Sequence, residues 1–226
     1  GKTAELSGQM LDLAALVCSQ AIRKNPKYAP IHNTAGLIQV ELKNINSAVQ
    51  SFNSARQLDP NFFEAQMNYA AVNLSFRGFD QSEAAYRQAL KIRPNSYEAW
   101  LGLALALRGQ INESNWDKNL KEAQEALEKC KQLAPDRAET YYNEAILTQE
   151  YKAKISSGDE KAVIPILETA IKIFDTFVQK AGGGADYADA VKRAGERKED
   201  LKKMIEFLKE GEKARVRQAE EEAAAA

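Results

Sequence analysis

Small and large apolar side chains recur along this chain on a beat of 34 residues, and prolines keep the same beat at Pro26, Pro60 and Pro94. Ala48, Phe52 and Ala55 precede Pro60, and Ser82, Tyr86 and Ala89 stand at the same distances before Pro94. Ala14, Cys18 and Ala21 hold those places before Pro26. A fixed period of this length marks a repeat architecture, in which a unit cannot bury its apolar face alone and stacks on its neighbours. A separate stripe, Tyr187, Val191, Ala194, Leu201, Met204, Ile205 and Leu208, predicts one long amphipathic helix from Asp186 to about Lys213. Its other face is Lys, Arg, Glu and Asp.

The pattern resembles the tetratricopeptide repeat, a helix-turn-helix unit with the consensus W-x2-L-G-x2-Y, then A-x3-F, then P. The unit from Ala29 places Ala35 and Gly36 on its first helix and Ala48, Phe52 and Ala55 on its second. The unit ending at Pro94 matches with Tyr69, Ala70, Ser82, Tyr86 and Ala89, without a gap. The resemblance implies an all-α fold, a right-handed superhelical solenoid of such repeats with a C-terminal capping helix. Small residues let two helix backbones approach, aromatic residues fill the wedge between repeats, and proline ends the second helix because it supplies no donor and clashes with the preceding turn.

A third unit opens at Tyr97 with Trp100, Leu103, Ala104 and Leu107, continues with Ala123, Leu127 and Cys130, and closes at Pro135. It is seven residues longer than its predecessors, and the excess is expected in a turn at Gly109 to Asn119, where Gly, Asn, Ser and Asp cluster. A fourth opens at Ala138 with Tyr141 and Ala145, turns around Ser156 to Asp159, and carries Ala170, Phe174 and Phe177 on its second helix before Gly182 to Gly184. The unit closed by Pro26 lacks most of its first helix, which reads as an array continuing upstream. The expected organisation is a solenoid over 1–184, with a partial unit and then repeats at 29–62, 63–96, 97–137 and 138–184. A capping helix over 185–213 and a charged, Ala-rich tail over 214–226 that frays complete it.

Composition narrows the function by exclusion. With 31 basic and 32 acidic residues and a net charge of -1, no basic stripe argues for nucleic acid. No apolar run is long enough to span a membrane. Cys18 and Cys130 occupy packing positions too far apart in a solenoid to pair, and read as buried structural thiols. His32, the one histidine, has no spaced ligand partner and reads as a side chain packed between repeats. The glycines at Gly182 follow a helix and lack the Lys and Ser or Thr of a phosphate loop, so they read as a helix stop. Nothing supports an enzyme, and no cofactor or metal is implied.

What the resemblance leaves is a binding surface. In the family, the first helices line a concave face, which here reads Asn33, Thr34, Leu37, Val40 and Glu41, then Glu64, Met67, Asn68, Ala71, Leu74 and Ser75. The third unit gives Glu98, Leu101, Leu105 and Arg108, with Gly102 and Gly109 leaving a hollow, and the fourth gives Glu139, Tyr142, Asn143, Ile146, Gln149 and Glu150. Chaperone-binding members hold a carboxylate with Lys, Asn and Arg. Here Asn68 fits, but Leu37 replaces an Asn, and Glu98 and Gly102 replace the cations. The resemblance therefore implies a protein or peptide ligand laid as an extended or helical apolar segment on Leu37, Met67, Ala71, Leu101, Leu105, Tyr142 and Ile146. Asn33, Asn68 and Asn143 would pair with its backbone, and rim glutamates would favour flanking Lys or Arg. The alternative is a structural subunit that self-associates, stacking through its convex face or its open N-terminal end. The glycine-rich entry and Lys/Glu-rich closing helix are similar to the ends of repeat proteins in the envelope of gliding delta-proteobacteria.

Overall fold

A computed structural model describes residues 2–155 and 160–225. The predicted turn at Ser156 to Asp159 lies outside the described residues. The chain divides into two compact units, 1–115 and 116–226, and no described helix is long and apolar enough to cross a membrane.

The first unit holds α1 (Lys2–Lys24), α2 (Ala29–Glu41), α3 (Ile45–Leu58), α4 (Phe63–Ser75), α5 (Phe79–Ile92) and α6 (Tyr97–Gln110). Each helix packs on the next in sequence: α2 on α3, α3 on α4, α4 on α5 and α5 on α6. The contacts fall at the small residues the period marks, with Ala48, Ala55, Ala65, Ala70, Ala85, Ala89 and Ala99 fully buried. Ser82 takes an alanine's place by donating its hydroxyl to the Ala70 carbonyl at 2.9 Å, which removes the cost of an unpaired buried oxygen. Phe52 and Tyr86 fill the space between these close backbones. Burial pushes the Tyr86 phenol up to about 12, because the phenolate would lose its hydration there.

The turns from α2 to α3 and from α4 to α5 are the same object displaced by one repeat. Lys43 and Arg77 take the left-handed conformation, at φ 63° and 64°. In the first turn the amide of Asn44 reaches back to the Gln39 carbonyl, and in the second that of Gly78 reaches the Asn73 carbonyl, both at 2.8 Å. The amides of Lys43 and Arg77 bond the carbonyls of Val40 and Leu74. Both helices thus end in a Schellman motif, with a long cationic side chain where glycine is the usual solution.

A second regularity joins one repeat to the next. Six residues after each proline, a side chain turns back to the proline's carbonyl: His32 to Pro26 at 2.8 Å, Gln66 to Pro60 at 3.1 Å, Trp100 to Pro94 at 2.8 Å. In the second unit Tyr141 donates its hydroxyl to Pro135 at 2.7 Å. A carbonyl only accepts, so Nε2 of His32 carries the proton. The histidine therefore packs at the junction, as its place in the repeat predicts, with its donor committed.

The second unit holds α7 (Trp116–Leu133), α8 (Ala138–Leu147), a π-helical turn (Thr148–Lys152), α9 (Ala153–Ile155), α10 (Glu160–Ala181), a 3-10 turn (Ala185–Tyr187) and α11 (Ala188–Ala225). The third repeat's seven extra residues differ from expectation in their placement. The connecting turn gains two, α6 one and α7 four, because the run Trp116, Leu120, Ala123, Leu127 keeps a helical apolar spacing through the polar cluster. Trp116 packs against Tyr151 with ring centroids 5.5 Å apart and the rings tilted by 50°, which anchors the added turn. Helix α10 is the centre of this unit's core. Ala170, Phe174 and Phe177 are fully buried in it, and α11 covers it with Ala194, Leu201 and Ile205. Gly182 ends α10 at φ +57°, the helix stop its position suggests. Met204, expected within the buried stripe, is instead half exposed. The closing helix also continues beyond Lys213 to Ala225, since the Glu- and Ala-rich tail is among the best helix formers and no proline stops it. Cys130 is buried as expected, whereas Cys18 is only half-buried, because α1 packs on α2 through one side alone.

Three outcomes follow for stability. Replacing Lys43 or Arg77 by Gly relieves the left-handed strain and stabilises the chain by about 0.5–1 kcal/mol, read as a higher denaturant midpoint. His32→Leu costs about 1 kcal/mol by removing the junction bond, while His32→Gln keeps most of it, as Gln66 does one repeat on. The Tyr86 pKa is raised above its unfolded value, so its contribution is complete below pH 10 and is lost as pH rises through 12. Relative to Tyr86→Phe, the wild type loses about 1 kcal/mol of stability by pH 11 in denaturant titrations, and a pH-independent difference between the two would contradict the burial argument.

Candidate functional site

In the first unit the first helices of successive repeats touch, α2 against α4 and α4 against α6, and their outward sides form one surface. Leu37 is 47 % exposed and Ala71 is exposed, while Met67, Leu101 and Leu105 are half-buried. The apolar residues cited for a floor are thus within reach of solvent in this unit. At its edge the Asn68 side-chain amide donates to Asn33 Oδ1 at 3.0 Å. Asn33 is nearly buried and Asn68 half-buried, so the pair holds two repeats in register and fixes both amides. It leaves the Asn33 NH2 group and the Asn68 carbonyl oxygen as a donor and an acceptor side by side.

The hollow expected at Gly102 and Gly109 is filled from within. A Cβ on Gly102 would run into the Tyr86 ring, and one on Gly109 into the Phe79 ring. These glycines admit an aromatic ring from the preceding repeat. The sequence shows glycine at each place, and only the packing shows which ring occupies it.

Three of the rim glutamates, Glu64, Glu139 and Glu150, are answered by cations of the chain itself. Glu64 pairs with Arg93 at 2.8 Å, and the same guanidinium lies 4.0 Å from the Phe63 ring centroid. In the second unit Glu139 pairs with Arg137 at 3.1 Å. Partial burial pushes its carboxyl up, but hydrogen bonds from Arg137, its own backbone amide and Tyr187 outweigh that and hold it below the usual range. Glu150 accepts from Arg197 of α11 at 2.9 Å, and the same arginine holds Gln149 at 3.0 Å. The expected pull on a ligand's Lys or Arg is reduced accordingly, because these carboxylates already have cations.

Tyr142, Asn143 and Ile146 stand on α8 in the second unit. Ile146 is buried in that unit's core. Tyr142 is half-buried, its ring edge-on to Phe177 at 5.0 Å and to Phe174 at 6.0 Å. The Asn143 amide donates to the Glu139 carbonyl one turn back, at 2.9 Å. Of the residues expected to line the face, those of the first unit therefore carry the exposed apolar area. Among the described residues no cluster of three or more His, Cys, Asp or Glu could hold a metal ion.

No family model matches the chain. Among curated proteins it is similar to Hsp70-Hsp90 organizing protein 1 of Glycine max, 27 % identical over 97 residues, which is 43 % of this chain and 17 % of that protein. The chain thus spans under a fifth of that relative's length. Among solved structures, MamA superposes with a TM-score of 0.61 at 17 % identity, over 82 % of this chain and 91 % of MamA. The first TPR domain of human RPAP3 does so with a TM-score of 0.50 at 17 % identity, over 59 % of this chain and 99 % of the domain. At such identities the likeness speaks for the fold. The antiparallel helix pairs, the repeated Schellman turns and the proline-capped junctions agree with it, and the chain has the all-α, helix-pair fold of MamA and of the RPAP3 TPR domain.

Proposed function

We propose that this chain is a non-enzymatic protein-interaction scaffold whose binding face is the surface of α2, α4 and α6. The observation that carries the reading is the uncovered apolar strip of Leu37, Met67, Ala71, Leu101 and Leu105 beside the Asn33–Asn68 pair. A ligand with an apolar side and an accessible backbone answers both parts: side chains on the strip, an amide and a carbonyl on the two asparagines. A free acidic C-terminus does not suit this face, since Leu37, Glu98 and Gly102 stand where the family's clamp has an Asn and two cations. The organizing protein of Glycine max, whose name ties it to Hsp70 and Hsp90, is thus a guide to the fold and not to the ligand. On α8, Tyr142, Asn143 and Ile146 extend the reading into the fourth repeat, with less apolar surface to offer. An envelope scaffold, the setting that the closing helix suggests, rests on that composition alone.

The test compares the immobilised wild type with a Met67→Glu, Leu105→Glu variant of equal helicity in capture of partners from a cell extract, followed by titration of the partner retained. Binding through this face predicts a partner kept by the wild type and lost by the variant. Asn68→Ala then weakens it by about 1–3 kcal/mol, read as a rise in Kd. Retention of the same partners by wild type and variant would remove the face from consideration.

A further inference from the structure

Between the start of α3 and the end of α4 the first unit holds a surface notch of about 510 Å³, floored by Ile45, Val49, Val72 and Phe76. The Phe76 ring is 62 % exposed, and among the described residues no acidic or basic side chain lines the notch. Both repeats that form it are whole, and the next junction along the chain serves as its control. One period of 34 residues on, Glu83 stands for Val49 and Gln110 for Phe76. There the Gln110 side chain donates to Glu83 at 2.7 Å and to the Phe79 carbonyl at 3.4 Å, tying α6 to α5. The cavity beside that bond is about 300 Å³, and Phe79 is its one apolar residue among those described. At the first junction both members of the pair are apolar, so the crossing bond is gone and apolar surface stays open to water, a cost that a covering side chain would remove.

The surroundings define the occupant. Lys43 stands two residues before Ile45 and Arg77 directly after Phe76; both are exposed, and among the described residues neither pairs with a carboxylate. Arg77 rests over the Phe79 ring, 5.7 Å from its centroid, which leaves its charge unanswered. Both cations sit on left-handed backbone where glycine would be less strained, so they are present although they weaken the fold. At the rim the side-chain amides of Asn46 and Gln50 are exposed, and among the described residues neither has a hydrogen-bond partner. We propose that the notch takes an apolar side chain, Leu or Phe, from an acidic segment of a partner protein. The segment's Asp or Glu neighbours meet Lys43 and Arg77, and its backbone meets Asn46 and Gln50. The site shares no residue with the strip on α2, α4 and α6 and stands whether or not that face binds.

The test uses three sets of short peptides, acetylated and amidated so that no terminal charge remains: a Leu or Phe anchor between Asp and Glu, between Lys and Arg, or between Ser and Gly. Binding to the whole, isotope-labelled chain is followed by NMR up to about 1 mM peptide, and the helicity of every variant is checked by circular dichroism. The acidic set should move the amide signals of Val49, Val72 and Phe76 and bind less well as salt is raised, and the basic set should not bind. Val49→Glu with Phe76→Gln installs the pair found at the next junction and should abolish binding. Lys43→Glu with Arg77→Glu should weaken the acidic set about tenfold and pass the preference to the basic set, an inversion that a purely structural role of these residues would not produce. The proposal fails if no set moves these signals, if the acidic and basic sets bind alike, or if the shifts fall instead on the strip of α2, α4 and α6. It fails too if the sealed variant binds as the wild type does. Concentration-dependent self-association that the sealed variant abolishes would give the notch to a second copy and equally overturn it.

Discussion

The structure depends on close approach between helix backbones, made possible by residues with little or no side chain. Alanines at the contacts bring paired helices together, and the ring of Phe52 or Tyr86 occupies what the small residues leave. Gly36 lies under Phe52 and Gly102 under Tyr86, so ring and glycine are two halves of one contact. Interiors are packed to crystal-like density, and a ring displaced by a single methyl group must carry its whole helix with it. Helix order, the direction of the first helices and the surface they present all descend from this spacing.

Much of this was legible in the sequence because repetition multiplies a weak signal. One proline or one A-x3-F means little, but the same offsets before Pro26, Pro60 and Pro94 fix a register that the structure follows through α5. The signal weakens where the period breaks. In the third repeat, composition drew the turn out to Asn119, and α7 instead began at Trp116, because an apolar helical spacing outweighs scattered Asn, Ser and Asp. The closing helix shows a related effect: its apolar stripe ends near Leu208, yet helix propensity alone carries it to Ala225.

The binding face was legible as a set of positions but not as a surface. Sequence offsets nominate Leu37 and Ile146 equally, and only packing separates the exposed leucine from the isoleucine that completes a core. The same holds for charge. Glu64, Glu139 and Glu150 look like an acidic rim when counted along the chain, while Arg93 and Arg197 reach Glu64 and Glu150 from 29 and 47 residues away, and Arg137 reaches Glu139 from the residue that caps its own helix. Gly102 misled for the opposite reason, since a missing side chain says that something comes near without saying what.

The four bonds to proline carbonyls have a consequence for how the chain reaches this state. Each closes a loop of only six residues, and each helix packs chiefly on its sequence neighbours, so nearly every contact that defines a repeat lies within a short stretch of chain. Chains dominated by local contacts lose little entropy before contacts begin to stabilise them, and they fold fast for their size. A repeat array can also begin to order at any of its units and spread from there. With His, Gln, Trp and Tyr all serving the same junction, the starting point need not be tied to one side chain, and the route into the fold is free to shift along the chain as its sequence drifts.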